Sequence, residues 1–220
     1  MIVRLPNYLK KAGIISSLVF LLMVFLVAPR MAPILAVDNS IENTFTNANF
    51  GFGDVFMNIV SIIGSPIFTL VIGILLAVAL FMSNLRIPAI WVIGTIISGN
   101  VVAWIIKHVI ARARPLGHLS DGFSFPSGHS FGTWMIITIF FVIILPNLPT
   151  NNFKRISAWI LITFGLLVME SRLYLLDHFL SDVIAGAALG ISWVILTTYL
   201  YTKFAQLLRD KIKIFEYDEI

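Results

Sequence analysis

Long apolar stretches recur along this chain, and they leave little room for any fold other than a bundle of membrane helices. The 220 residues are 59% hydrophobic and only 12% charged, whereas soluble domains are about half apolar and about a quarter charged. A spanning helix needs about 20 mostly apolar residues, and six segments meet that requirement. They are residues 12–35, 58–82, 88–106, 127–146, 156–174 and 180–204. Because these segments lack the two-residue alternation of a membrane barrel, the sequence predicts an all-α, polytopic membrane protein with six transmembrane helices.

The connections between these segments are short and polar, which predicts a single domain over residues 1–220. The first apolar run follows Arg4, Lys10 and Lys11, as in a secretory signal. Prolines after the run and the lack of a clean cleavage site favour a retained helix instead. Residues 38–53 are polar and dotted with phenylalanine, so we expect an interfacial loop or a short helix lying on the membrane.

The distribution of lysine and arginine predicts the orientation of the helices. If the amino terminus is cytoplasmic, ten of the 15 basic residues face the cytoplasm, as the positive-inside rule favours. Both termini are therefore predicted to lie inside (N-in, C-in). The outward basic residues are Arg30, Lys107, Arg112, Arg114 and Arg172. Four of these five lie in two short segments, which predicts an anionic ligand at the outer face of the cell (plasma) membrane. A headgroup contact is one of the roles open to Arg112.

Three polar stretches, residues 107–115, 126–129 and 171–182, fall on this same face in the predicted topology. Phosphate oxygens bind several cationic or N–H donors. The cations would come from Lys107, Arg114 and Arg172, because arginine can bind phosphate with two parallel hydrogen bonds. Ser127 and Gly128 would begin the fourth helix, whose free N–H groups and dipole favour an anion. The three stretches together predict a phosphate site.

Hydrolysis also needs a nucleophile and an acid, and the chain has no cysteine. His178 and Asp182 are four residues apart, so they would share a face of a helix. A carboxylate that binds one ring nitrogen leaves the other free to attack phosphorus. His129 would then protonate the departing oxygen. Fixed cations can stabilise the developing charge, so the hypothesis requires no metal and no cofactor.

The three stretches together resemble the signature of the type 2 phosphatidic acid phosphatase superfamily. Its pattern is Lys-x6-Arg-Pro, Pro-Ser-Gly-His and Ser-Arg-x5-His-x3-Asp, which this chain matches at every position. The matching residues are Lys107, Arg114, Pro115, Pro126, Ser127, Gly128, His129, Ser171, Arg172, His178 and Asp182. The resemblance implies metal-independent hydrolysis of a lipid phosphate through a phosphohistidine. It is strongest to small bacterial members that act on phosphatidylglycerol phosphate or undecaprenyl pyrophosphate.

Two other functions are compatible with the same residues. A lipid-linked phosphotransferase would use the same site with a hydroxyl in place of water, and a non-catalytic anion-binding or transport protein would keep only the pocket. In each case the partners are a membrane lipid phosphate and the bilayer, with no nucleic acid. The sequence assigns no role to His108, His118 or Glu170, and it does not define the oligomeric state.

Overall fold

The computed structural model describes residues 3, 5–46, 52–115 and 122–211. Over these residues the fold is built from α-helices, with a short 3-10 helix at Leu145–Asn147 and no β-strand within the described ranges. The helices are α1 (Asn7–Val27), α2 (Ala32–Thr46), α3 (Phe52–Ile63), α4 (Pro66–Met82), α5 (Arg86–Ile110), α6 (Gly128–Ile143), α7 (Asn151–Tyr174) and α8 (Leu180–Lys211).

Five of these helical segments are long and apolar enough to cross a membrane: α1, α5, α6 with the 3-10 helix, α7 and α8. Helices α3 and α4 meet at a bend of 42° and provide a sixth span if the pair counts as one. The prediction of an all-α, multi-pass membrane protein is confirmed. The orientation of the helices across the membrane stays a prediction.

The first predicted span, residues 12–35, is wrong at its end. Helix α1 stops at Val27, and the chain turns through Arg30 at a positive φ of 54° before α2 begins at Ala32. Pro29 explains the stop, because proline has no backbone N–H to continue a helix. Pro33 suits the first turn of the next helix. Most of the polar segment predicted from residue 38 onward is thus helical, up to Thr46.

The second predicted span, residues 58–82, is broken in the structure. Ser65 caps the start of α4, accepting a hydrogen bond from the Phe68 N–H at 3.2 Å, and Pro66 occupies the first turn. The carbonyl of Gly64 at the break accepts a hydrogen bond from Thr133 of α6 at 3.2 Å. Because the last carbonyls of a helix have no partner within it, this contact stabilises the bend and fixes it against α6.

Helices α6 and α8 form the centre of the bundle, and glycine allows their backbones to approach closely. A Cβ atom added at Gly190 would lie 2.6 Å from the Phe131 carbonyl oxygen, and one added at Gly186 would lie 2.5 Å from the Ser127 carbonyl oxygen. Small residues are typical of helix contacts in membranes. The outer faces of α1, α4, α5 and α7 carry exposed large hydrophobic residues, as expected for contact with lipid. The close packing of α6 on α8 determines where their amino termini lie, and both termini belong to the site.

Candidate active site

The residues predicted to bind phosphate and to catalyse its release lie at the ends of four helices, and these ends meet at one side of the bundle. Lys107 occupies the last turn of α5 and Arg172 the last turn of α7, whereas His129 and Asp182 occupy the first turns of α6 and α8. His129 lies close enough to interact electrostatically with four of the other predicted residues. These are Arg172, His178, Arg114 and Lys107. The structure thus brings together the charged groups that the sequence places far apart.

Ser127 holds the start of α6 against the start of α8. Its N–H donates to the Asp182 carbonyl at 3.0 Å, and its hydroxyl oxygen caps α6 by accepting from the Ser130 N–H at 3.5 Å. The next N–H groups, of Gly128 and His129, have no partner within a helix that begins there. Among the residues that the structure describes, an ideal Cβ at Gly128 would meet only Pro66, at an ordinary contact distance of 3.6 Å. Packing therefore does not require glycine at this position, which leaves close approach to a ligand as a reason for it.

The chain reverses sharply after α7, and this turn positions His178. Leu176 has a positive φ of 56°, and its N–H donates to the Leu173 carbonyl at 3.1 Å. The Asp177 N–H donates to the Arg172 carbonyl at 3.1 Å. These two bonds form a Schellman motif, the usual way to satisfy the last carbonyls of a helix. As a result His178 lies beside the end of α7, ahead of α8 rather than on it, so the predicted shared helical face is not what pairs it with Asp182.

His178 and Asp182 are nonetheless neighbours in the buried interior. His178 is 4% exposed and Asp182 is fully buried. The His178 Nδ1 atom lies 3.7 Å from Asp182 Oδ2, which is too long for a hydrogen bond, and that oxygen accepts from the Phe179 N–H at 2.9 Å. Burial lowers the pKa of His178, and the Asp182 carboxylate opposes that shift. The imidazole is therefore held in its neutral form, the form that can act as a nucleophile.

The cationic side of the site is formed by Arg172, Arg114 and Lys107. One terminal nitrogen of Arg172 binds the Ser61 hydroxyl and the other binds the Asp177 carboxylate. Its Nε atom is buried and has no hydrogen-bond partner among the described residues. Arg114 donates to the Asp177 carbonyl at 3.1 Å, while Lys107 donates from Nζ to a loop carbonyl at 2.8 Å. Asp177 thus contacts both arginines that are predicted to bind phosphate.

Sequence reasoning missed the side chains of Asp38, Ser61 and Asp177 at this site. It also missed that Arg112 is buried. Arg112, for which a headgroup contact was considered, is 8% exposed and ion-paired with Asp38 at 2.7 Å and Asp182 at 2.8 Å. Asp38 lies on α2, far from the three motifs. An isolated acidic residue in an apolar chain is a signal for such a role, but its partner cannot be read from one sequence. His118 lies outside the described residues.

The larger cavities lie away from these polar groups. A groove of about 400 Å³ between α5 and α8 includes Trp91, Thr95 and Tyr201 in its lining. Another of about 450 Å³ lies between α4 and α5. Both are lined almost entirely by apolar atoms, which suits lipid chains and not a phosphate. The candidate active site is therefore defined by its converging charges and not by the size of a cavity.

Cations, two histidines and a buried carboxylate meet at one end of this helical membrane bundle, and these are the groups that a membrane phosphatase would use. Residues 88–206 match the PAP2 superfamily. Mouse dolichyldiphosphatase 1 is 30% identical over 176 residues, covering 72% of each chain. Phosphatidylglycerophosphatase B of Bacillus subtilis strain 168 is 36% identical over 92 residues, covering 40% of this chain and 45% of the relative.

The fold also matches a solved structure. The crystal structure of the transmembrane PAP2-type phosphatidylglycerolphosphate phosphatase from Bacillus subtilis aligns with a TM-score of 0.74, at 23% identity, over 86% of this chain and 96% of that one. The chain therefore belongs to the PAP2 superfamily, as its three motifs predict, and is a membrane lipid phosphatase of that family.

Proposed function

We propose that this chain, acting as one domain, hydrolyses a lipid phosphate or pyrophosphate in two steps, with His178 as the nucleophile. The observation that carries the proposal is the position of His178, a buried and neutral imidazole between the Asp182 carboxylate and the arginine cluster. A histidine that only filled space among helices would not need three cations and a second histidine around it. Intramembrane ionisable groups are costly and are usually functional.

The first step would transfer the phosphoryl group to the enzyme. Arg172, Arg114 and Lys107 bind the phosphate oxygens, together with the N–H groups at the start of α6. The ring nitrogen of His178 that faces away from Asp182 attacks phosphorus, and the bond from phosphorus to the leaving oxygen breaks. His129, protonated while the negatively charged phosphate is bound beside it, donates its proton to that oxygen, a contribution of about 10²–10⁴-fold in rate.

The second step would release phosphate. His129, now neutral, accepts a proton from a water molecule that attacks phosphorus, and the bond between phosphorus and the His178 nitrogen breaks. Inorganic phosphate then leaves and both histidines return to their starting forms. Asp182 stabilises the positive charge that the His178 ring gains while it holds the phosphoryl group, which explains why a carboxylate is retained in a fully buried position.

Three fixed cations would supply the electrostatic stabilisation that a metal supplies in many other phosphatases. We therefore expect purified enzyme to release phosphate from a lipid phosphate at an unchanged rate after treatment with EDTA. His178→Ala should lower the rate by on the order of 10⁴-fold, and His129→Ala by about 10²–10⁴-fold. His108→Gln is the matched control, because this histidine lies on the exposed end of α5 and, among the described residues, its hydrogen bond is to the Trp104 carbonyl of its own helix. Full activity of the His178→Ala protein would exclude the proposed nucleophile.

The lipid substrate is proposed from the relatives and from the apolar surroundings of the site. Dolichyldiphosphatase 1 is named for a lipid diphosphate and phosphatidylglycerophosphatase B for phosphatidylglycerophosphate. Both substrate types fit a site that binds phosphate. We propose undecaprenyl pyrophosphate and phosphatidylglycerol phosphate as the candidates. Turnover of the two lipids side by side in the same detergent distinguishes them by kcat/KM. Equal and negligible turnover of both would exclude this proposal.

We further propose that the site faces the outside of the plasma membrane, as the lysine and arginine distribution indicates. The chain has no cysteine, so single cysteines can report the topology. In intact cells a membrane-impermeant maleimide should label Asn39→Cys on the exposed side of α2 but should not label Asp210→Cys near the end of α8. The reverse pattern would place the active site in the cytoplasm.

A further inference from the structure

Arg112 lies between two buried carboxylates, and this arrangement has no counterpart in the chemistry proposed above. Its two terminal nitrogens bind different partners. Nη1 donates to Asp182 at 2.8 Å and to Ser181 at 2.6 Å, and Nη2 donates to Asp38 at 2.7 Å. Its guanidinium also lies over the ring of Phe179, 4.1 Å from the ring centroid. These contacts place Arg112 and its partners on the Asp182 side of the His178–Asp182 pair.

Asp38 is unusual on its own helix. It is 1% exposed, and it is the one buried residue that α2 contributes. Besides Arg112, its carboxylate accepts from the Ser181 N–H at 3.0 Å and from the Ser181 hydroxyl at 2.6 Å. Ser181 is adjacent to Asp182, so Asp38 fixes the first turn of α8 through two hydrogen bonds. Burying a carboxylate costs several kcal/mol. If α2 only had to pack against its neighbours, an apolar side chain could make that contact.

The charges of this group explain why an acidic residue is needed. Asp182 and Arg112 alone would form a neutral pair, and a neutral pair would do little to stabilise a positive charge on His178. Adding Asp38 gives the group two carboxylates and one guanidinium, and hence a net charge of −1 beside the imidazole. In a poorly hydrated interior such a difference of one charge is felt strongly.

We propose that Asp38 is a positioning residue that shares Arg112 with Asp182 and so leaves a net negative charge on the side of His178 opposite the phosphate. The inference rests on the proposed function, since it takes His178 as the nucleophile. It assigns α2 a part in the reaction, although α2 lies outside the three sequence motifs.

The acidic limb of the pH profile of kcat/KM reports this charge directly. Protonation of His178 removes the nucleophile, so activity falls as the pH drops through the pKa of His178. Asp38→Asn removes a negative charge, destabilises the protonated ring and should lower the midpoint of the limb by about 0.5–1 pH unit. Arg112→Gln removes a positive charge and should raise the midpoint by a similar amount, about 0.5–1 pH unit.

Other charged groups around His178 must stay constant for this comparison. They are Asp182 on α8, Arg172 on α7, Arg114 after α5 and His129 on α6. None of them is altered in these variants, and the titration of the substrate phosphate is the same in every assay. Shifts of opposite sign therefore report the charge on the Asp38–Arg112 pair.

The double variant Asp38→Asn with Arg112→Gln restores the net charge of −1, which Asp182 then carries alone with the Phe179 N–H as its donor. Its midpoint should return to that of the wild-type enzyme. Either single variant that folds keeps the test available, because each has a predicted shift of known sign. Asp210→Asn is the control for charge, because it removes one carboxylate from an exposed position near the end of α8. A wild-type midpoint in every single variant that folds, Asp38→Asn or Arg112→Gln, would overturn the inference.

The two proposals fail in different ways. If the His178→Ala enzyme is active, the proposed function is wrong. If that enzyme is inactive and the Asp38→Asn and double variants share the wild-type midpoint, only the role of Asp38 is wrong.

Discussion

Gly186→Ala tests whether the contact between α6 and α8 positions the catalytic groups. The added Cβ would lie 2.5 Å from the Ser127 carbonyl oxygen and 3.1 Å from Ser130 Cβ. To restore an ordinary contact of 3.4 Å, the start of α6 must retreat from α8 by about 0.9 Å. The obstacle is backbone, so no side-chain rotation can relieve it. His129 would move with α6, away from His178.

A displacement of about 1 Å in a catalytic group can cost about 10²-fold in rate. We expect the kcat of Gly186→Ala to fall by about that factor, with a smaller effect on KM because Arg172 and Arg114 do not lie on α6. Overpacking at a tight contact also costs about 1–3 kcal/mol of stability. Both quantities are measurable on protein in detergent, as phosphate release and as the midpoint of thermal unfolding.

Gly94→Ala is the matched control. Gly94 lies on α5, and no atom of the described part of the chain lies within 4 Å of the position that its Cβ would occupy, so the change should leave kcat unaltered. It should add about 0.5–1 kcal/mol through better helix propensity. If Gly186→Ala has the kcat and the unfolding midpoint of the wild-type enzyme, the close approach of α6 and α8 does not position His129, and this reasoning is refuted.

The remaining predictions concern charge and packing around the phosphate. Because burial lowers the pKa of His178, the acidic limb of kcat/KM should have its midpoint below about 6.5, the ordinary value for histidine; a midpoint above that value would show that the carboxylate outweighs burial. In Asp177→Asn, Arg172 loses its ion pair with a partly exposed carboxylate, so inorganic phosphate should inhibit about 3–10-fold more tightly. Equal or weaker inhibition would mean that Asp177 and phosphate do not compete for Arg172. Gly128→Ala should lower kcat/KM without changing the unfolding midpoint, since within the described ranges its new methyl group meets only Pro66. Unaltered activity would remove the reason for glycine at the start of α6.

Composition and motif spacing were sufficient to predict the membrane helices and the identity of the family. Six apolar segments of about 20 residues allow few alternatives in a bilayer, and the ends of most predicted spans lie within a few residues of the observed ones. The errors arose at prolines. Pro29 and Pro66 interrupt segments that hydropathy alone treats as continuous, because hydropathy ignores backbone hydrogen bonding.

The site was predictable where the partners lie in the motifs and unpredictable where they do not. His178 and Asp182 are close in sequence, so their pairing could be inferred, although the turn at Leu176 rather than a helical face produces it. Asp38 and Ser181 are 143 residues apart, and nothing in one sequence shows that they meet. Arg112 illustrates the same difficulty, because a basic residue at a helix end has the same sequence signature whether it binds headgroups or buried carboxylates.

Trapping the covalent intermediate tests the central claim most directly. Enzyme mixed with a lipid phosphate that is radiolabelled on its terminal phosphate and quenched in alkali should carry label on the protein. A phosphoramidate on histidine survives alkali and is lost in acid, and digestion should place the label on the peptide that contains His178. Label on another residue, or turnover with no protein-bound label at any quench time, would contradict the account.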